Sequence, residues 1–222
     1  MDLEDIWPLF GLEIQSPRLM LRPMRDADLP DLAQAALDGV HEPDQMPFGV
    51  PWTDAAADDL PRNLATYQWS LRQRVAPDSW AIAFAVHVDG RVVGSQDLSA
   101  HDFANRRTIG SGSWLTKSAQ GQGLGTEMRA ALLLFAFDTL GAAWAESSAA
   151  SWNEASLGVS RKLGYEANGV SRVSPRPGQQ VDEQRVRLAR DAFIRPSWNV
   201  TVRGAERALA QLGVEPERDR GA

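Results

Sequence analysis

The sequence predicts an α/β (α+β) fold, a mixed and mostly antiparallel sheet with helices on both faces. Three features predict it. Runs of alternating apolar and polar residues are interleaved with segments whose apolar residues recur at helical spacing. The pair Asp89-Gly90 lies between two alternating runs and marks a tight hairpin. In mid-chain a strand-like run, Ile109 to Leu115, passes through a glycine-rich loop into an apolar helix.

The elements follow in order. Leu19 to Pro23 reads as a first strand. Asp26-Ala27-Asp28 is a helix start, and Leu29, Leu32, Ala33 and Ala36 then form an apolar stripe, with Pro30 in the first turn where it is tolerated. Gly39 ends that helix. Residues 40–52 carry three prolines and no periodicity, the pattern of a structured loop. A second helix is expected over about 54–74. Trp80 to Val88 and Arg91 to Leu98 are the hairpin strands. Ile109 to Leu115 is a strand with Gly110 and Gly112 inside it, which suggests a bulge or a close backbone approach. Leu124, Met128, Ala131, Leu132 and Phe135 share one face of a helix expected over Thr126 to Leu140. The opposite face is also largely apolar, so the helix is expected to be buried. Ala142 to Ala149 reads as a strand, Asn153 to Leu163 as a helix, and Tyr165 to Val173 with Asp182 to Ala189 as a final antiparallel pair. Ala205 to Leu212 is a last helix, and residues 216–222 are expected to fray.

The chain has 222 residues, 43% of them hydrophobic, enough for one core. A single domain is expected over residues 1–192, with its core at about 16–192, and residues 193–222 as an extension packing on or near it. There is no cysteine, which excludes disulfides, a thiolate nucleophile and Cys-ligated metal. His41, His87 and His101 are scattered, so no multi-His metal site is expected. The net charge of −6 argues against nucleic acid as a partner. The first 60 residues hold 13 acids and 3 bases, so charge is uneven along the chain. The start, Met-Asp-Leu-Glu-Asp-Ile-Trp, is acidic where a secretory signal is basic. The longest apolar stretch, Ala130 to Phe137, is far below the ~20 residues of a membrane helix. The expectation is a cytoplasmic protein that does not enter a membrane.

The segment that carries chemistry is Trp114-Leu115-Thr116-Lys117-Ser118-Ala119-Gln120-Gly121-Gln122-Gly123-Leu124-Gly125-Thr126. Glycines let a backbone turn tightly with its N–H groups bare. A helix start adds about four unpaired N–H groups and a partial positive charge, so loop and helix together suit phosphate oxygens. A P-loop would need Gly-Lys-Ser/Thr, which is absent. A dinucleotide fingerprint fails at its third glycine, where Thr126 or Met128 stands. The pattern Q/R-x-x-G-x-G/A is met by Gln120, Gly123 and Gly125.

With these residues in view, the chain resembles the GNAT superfamily of acyl-CoA-dependent N-acyltransferases over about residues 16–192. A second match lies at the expected distance: Asn153-Glu154-Ala155-Ser156, then Arg161-Lys162-Leu163-Gly164-Tyr165. It is similar to the N-x-x-S…K-L-G-F pattern of the branch that contains the ribosomal-protein N-terminal acetyltransferases. Ser16-Pro17-Arg18-Leu19-Met20-Leu21-Arg22 and Gly112-Ser113-Trp114-Leu115 are similar to that branch as well.

The resemblance implies a GNAT fold in which the strand before the loop and the strand after the helix splay apart, with the pantetheine arm of acyl-CoA between them. Backbone of Leu115 and Thr116 would then pair with pantetheine, and the amides of Gly121, Gln122, Gly123, Leu124 and Gly125, with Thr126, would hold the pyrophosphate. Asn153, with Ser156, would bond the arm or set the next helix, and Arg161 would reach the nucleotide phosphates.

The implied reaction is direct attack of a primary amine on the thioester in a ternary complex. The amine must be neutral. An α-amine has a pKa of about 7.7–8.0 against about 10.4 for lysine, a difference of roughly 3.4 kcal/mol in deprotonation cost. Many relatives carry a tyrosine acid where this chain has Ser160, and Ser160 is the candidate donor to the departing sulfur. Glu146, on the strand face shared with Ser148, is the candidate base, with Asp97 and His101 as further candidates. The lack of an obvious base favours an α-amine or another low-pKa amine, on a small molecule or at a protein N-terminus. The loop bearing His41, Glu42, Asp44, Phe48 and Trp52 is expected to border the acceptor site, its acids holding a cation and its aromatics walling a cleft.

Trp7-Pro8-Leu9-Phe10, Gly39 to Thr53 and Gly125 to Phe137 are similar to an actinobacterial subgroup in which succinyl-CoA has been suggested as donor. A succinyl carboxylate needs a cation or several donors at the end of the acyl pocket, and Arg106 and Arg107 are the candidates. Acetyl-CoA stays the first expectation and succinyl-CoA the second, with no metal and a homodimer implied by the family. The competing functions are a non-catalytic acyl-CoA sensor and, disfavoured by the failed fingerprint, a nicotinamide-dependent oxidoreductase.

Overall fold

The computed structural model describes residues 1–214. The expectation of fraying over residues 216–222 lies outside the described residues. The strands are β1 (Glu13–Gln15), β2 (Met20–Pro23), β3 (Ser79–Val88), β4 (Arg91–His101), β5 (Thr108–Leu115), β6 (Trp144–Ala150), β7 (Glu166–Val173), β8 (Val181–Ala189) and β9 (Thr201–Arg203). The α-helices are α1 (Leu3–Ile6), α2 (Leu29–Leu37), α3 (Leu60–Gln73), α4 (Phe103–Arg106), α5 (Leu124–Leu134), α6 (Glu154–Lys162) and α7 (Ala205–Gln211). The strands form one sheet in the order β7-β8-β6-β5-β4-β3-β2-β1-β9. Its pairs are antiparallel except β5 with β6, which the α5 crossover makes parallel.

Local chemistry accounts for the elements. Asp89 and Gly90 both adopt positive φ, 49° and 78°, the backbone of the two-residue hairpin that the sequence announced. Pro30 and Pro61 occupy the first turns of α2 and α3. The α3 helix begins at Leu60, six residues later than its expected start, because Trp52–Asp54 instead forms a 3₁₀ turn. The α5 helix begins at Leu124, and its last turn widens into a π-helical turn over Phe135–Thr139 before Leu140.

Alternation along β5 divides the molecule into layers. Ile109 and Leu115 point into the main core with Leu124, Met128 and Leu132 of α5, whereas Trp114 packs with Ala36 and Leu64 of α2 and α3 on the other face. Residues 193–214 join the same body. Thr201–Arg203 extends the sheet along β1, and Phe193, Leu209 and Leu212 enter the main core.

Candidate functional site

The β5–β6 pair is short. Only Thr108, Ile109 and Gly110 face Trp144, Ala145 and Glu146 across a ladder. On their outer edges both strands pair further, β5 with β4 up to Leu115 and β6 with β8 up to Ala150. Residues 111–115 and 147–150 therefore face each other with no ladder between them. A bond from Ser147 Oγ to Ser111 O, 2.8 Å, closes the narrow end. Facing free strand edges form a slot for an extended ligand that supplies its own hydrogen-bonding groups.

Alternation decides which main-chain groups face the slot. Thr116 N–H donates to Val93 O of the neighbouring β4 side at 2.8 Å. Counting back in twos gives β4 the groups of Trp114 and Gly112, and turns those of Leu115, Ser113 and Ser111 to the slot. Of the two residues expected to pair with pantetheine, Leu115 faces the slot and Thr116 presents its N–H to β4. Ser113, not singled out from sequence, is the next slot-facing residue.

The open end of the slot meets the glycine loop. Gly121 and Gly123 take φ of +73° and +80°, backbone that glycine adopts freely. The first helical bond of α5 is Glu127 N–H to Gly123 O, and the N–H groups of Gly121 through Thr126 have no partner within the described residues. Six successive bare amides at the start of an eleven-residue helix form a cradle for phosphate oxygens. Space beside Gly121 is open, since a Cβ there would meet nothing within 4 Å.

Neighbouring side chains fix this loop. The Gln120 Nε2 donates to Leu115 O and Val40 O, each at 2.8 Å, so the glutamine fastens the loop. Glu127 is buried. Burial raises its pKa, but bonds from Ser16, Arg18 N–H and the Arg18 guanidinium outweigh this and hold it below the usual value. Arg18 also donates to Gln122 O at 3.0 Å, which puts its cation beside the cradle. The sequence motif around Arg18 marked the segment but not this role.

The other lip carries Asn153, which caps α6 by accepting from Ser156 N–H at 3.1 Å. Ser160 is buried and donates to Ser156 O at 3.3 Å. Arg161 is exposed and pairs with Glu154 at 2.7 Å. Tyr165 lies in the core.

On the α2–α3 face, a cavity of about 340 Å³ is walled by Phe48, Trp52, Tyr67 and Trp114, with Ser95, Asp97 and Gly112 on its floor. Phe48 and Trp52 lie 5.2 Å apart and Trp52 and Trp114 5.3 Å apart, centroid to centroid. Asp97 stands opposite Gly112 of β5, beside the slot. Burial pushes its carboxyl up to about 6, and one bond from Ser95 Oγ pulls weakly the other way. Tyr67 is raised as well, by burial and then by the Asp97 charge. A second cavity, of about 450 Å³, joins Asp97 and Tyr67 to Glu146 and Ser148. Glu146 is exposed at the end of the paired rows. His101 and Arg106 line an adjoining recess that shares Glu146 with this cavity, and Arg107 covers the Phe103 ring.

The loop over residues 40–54 contributes its aromatics to the cavity, while its acids are held elsewhere. Glu42 pairs with Lys117 at 2.9 Å. Asp54 takes a two-pronged bond from Arg176, which also donates to Pro43 O. Asp44 lies close enough to Arg176 to raise its pKa further, and His41 bonds Thr53 Oγ1 at 2.7 Å. Neither Glu42 nor Asp44 lines the cavity. Among the described residues no cluster of His, Cys, Asp or Glu is grouped to hold a metal.

A family model described as an acetyltransferase (GNAT) domain matches residues 18–166. Among solved structures, the chain is similar to Mycobacterium smegmatis RimJ in complex with a CoA disulfide, at 20% identity and a TM-score of 0.67, over 92% of this chain and 95% of that one. It is similar to RimL, a ribosomal L7/L12 α-N-protein acetyltransferase in complex with coenzyme A, at 20% identity and 0.63, over 80% and 97%. A GNAT-family acetyltransferase from Bacillus anthracis matches at 16% and 0.62, over 81% and 99%. At such identities the structural likeness is one of fold, and the family match adds what fold alone does not carry. A parted strand pair, a bare amide cradle at its mouth and a matching domain model over most of the length agree: the chain belongs to the GNAT acetyltransferase family.

Proposed function

We propose that the protein transfers an acyl group from a coenzyme A thioester to a primary amine by direct attack in a ternary complex. The observation that carries this reading is the continuity of slot and cradle. An extended thioester can lay its diphosphate on the amides of residues 121–126 and run its pantetheine past Leu115. Its carbonyl then reaches Ser113 N–H, which stabilises the negative charge that attack develops on oxygen.

Asp97 is the base in this reading. At a pKa of about 6 it is ionised at neutral pH and stands between the slot and the aromatic cavity. Taking a proton from an α-ammonium of pKa about 8 costs about 2 units, or about 2.5 kcal/mol, against about 6 kcal/mol for lysine. The base therefore suits an α-amine, as the name of the RimL neighbour also suggests. The cavity walls, aromatic with one carboxylate, suit an amine on an apolar carrier.

Incubation with acetyl-CoA or succinyl-CoA and a panel of amines and N-terminal peptides tests the reading by release of free thiol. Thiol release that requires the amine is the expected result. Tight CoA binding without turnover would instead favour a sensor.

Ser160 receives the smaller part, a hydrogen bond to the departing sulfur once its hydroxyl leaves Ser156 O. A thiolate of pKa about 8.5 leaves without strong acid help. Ser160→Ala is expected to lower kcat about three- to tenfold, the scale of one neutral hydrogen bond. A loss of 10² or more would make the serine a true proton donor.

A further inference from the structure

The glycines inside β5 mark no bulge, because the β4–β5 ladder keeps its register from Gly94 opposite Leu115 to Ser99 opposite Gly110. Gly110 and Gly112 share the sheet face of Trp114, on the side of α3. At Gly110 a Cβ would crowd Ser99 Oγ at 2.8 Å, but at Gly112 it would meet nothing within 4 Å. No contact inside the chain therefore demands glycine at Gly112, and main chain lies open there.

That open floor runs through three cavities. The aromatic cavity rests on Asp97 and Gly112. The cavity of about 450 Å³ carries the floor on past Ser99 and Gly110 to Glu146, between Tyr67 of α3 and Arg185 of β8. A third cavity, of about 440 Å³, shares Ser99, Gly110 and Glu146 and ends at Arg74, His101 and Arg106. Shared walls make the three one trough. Its charge changes along its length. Asp97 stands at the inner end, and two arginines stand at the outer end.

Neither arginine is in an ion pair among the described residues. Arg74 donates only to Ser70, to its carbonyl at 3.0 Å and its hydroxyl at 3.1 Å. Glu146, the one carboxylate lining the outer recess, pairs with neither. Elsewhere on this acidic surface Arg62, Arg72, Arg161, Arg172 and Arg187 each hold a carboxylate. Trp80 lines the outer recess too, and its buried Nε1–H has no acceptor. The outer end thus gathers donors and positive charge that the chain itself leaves unmet.

We propose that the trough holds the acceptor as an extended peptide, its α-amine at Asp97 and an acidic side chain at its third or fourth residue between Arg74 and Arg106. This rests on the reading of Asp97 as the base and adds what selects the acceptor. Open glycine main chain lets a second backbone approach closely. From Asp97 to His101 is four strand steps, about 13 Å, the span of three or four extended residues. A carboxylate carried that far meets two guanidinium groups, whose planar donors suit it. An amine with no chain beyond it fills the inner end and leaves both cations unmet.

Initial rates with acetyl-CoA and with succinyl-CoA test this on the full chain, using small apolar amines and peptides that differ only in Glu, Gln or Lys at residues three and four. The Glu peptide is expected to exceed the Gln peptide about tenfold in kcat/KM, mostly through KM, the scale of one carboxylate against two partly exposed cations. Added salt should narrow that gap. Arg74→Glu with Arg106→Glu should reverse the order and favour the Lys peptide, with the KM for acyl-CoA within about twofold of wild type. A reversal cannot come from misfolding, and the wild-type comparison stands without the variant. Equal rates for Glu and Gln peptides, or a preference that salt leaves untouched, would overturn the proposal alone. So would turnover of small amines without turnover of peptides. No turnover with any amine would overturn the transfer reading and this proposal with it.

Discussion

Asp97→Asn should cost about 10²–10⁴ in kcat and at the same time make the protein more stable at neutral pH. The first effect follows from removing the base, whose removal in other enzymes carries that range. The second follows from the direction of its pKa. Burial raises the folded carboxyl from 3.8 to about 6, so the folded state binds a proton that the unfolded state has already lost. Stability is then lost as pH rises between those values, and above about pH 6 the deficit is constant. Asparagine removes it. The gain is on the order of 1–2 kcal/mol once partial exposure to water is allowed for. That is a rise of a few degrees in Tm at pH 8, shrinking as pH falls through 6. In the wild type, kcat/KM should climb through about pH 6 as Asp97 ionises, and the asparagine variant should lack that limb. If Asp97→Asn keeps activity within threefold while Glu146→Gln does not, the base is Glu146.

The contrast between Asp97 and Glu146 shows what the sequence could and could not reveal. Periodicity exposed most long elements, because a strand or helix that packs on a core presents an apolar stripe to it, whereas β7, with no buried residue, is placed by its pairing with β8. Three-residue β1 and β9 have no period to read, and their place at the sheet edge is set by contacts between residues nearly two hundred positions apart. The amide cradle was legible because glycine and a helix start are local. The proposed base is only one of several candidates in the sequence, since Asp97 gains its raised pKa from burial, in the register that sets it opposite Gly112 beneath Tyr67. The same holds for the acids of the 40–54 loop. Their charges invited a cation, but Lys117, distant in sequence, takes up Glu42, and Asp44 lies beside Arg176, which pairs with Asp54. The recess that joins Arg74 to Arg106 leaves no local pattern either, and exists only once α3 is laid against the sheet.

Gly121→Asp should raise the KM for acyl-CoA about a hundredfold with little change in fold. The position takes φ of +73°, and a Cβ there meets nothing within 4 Å. Aspartate tolerates such backbone better than most residues, and the strain is about 1 kcal/mol. Its carboxylate, however, would stand among the six bare amides and meet the incoming diphosphate. At an effective dielectric near 20 and a separation of about 5 Å, one unit charge against another costs about 3 kcal/mol, which corresponds to roughly a hundredfold in affinity. Asn at the same position has nearly the same shape and strain without the charge, and should raise KM by only a few fold. Added salt should narrow the gap between the two variants, because screening acts on the charge and leaves the strain alone. If Asp and Asn impair binding equally, or if salt leaves their difference untouched, the phosphates do not rest on this turn, and the orientation of the thioester in the slot falls with it.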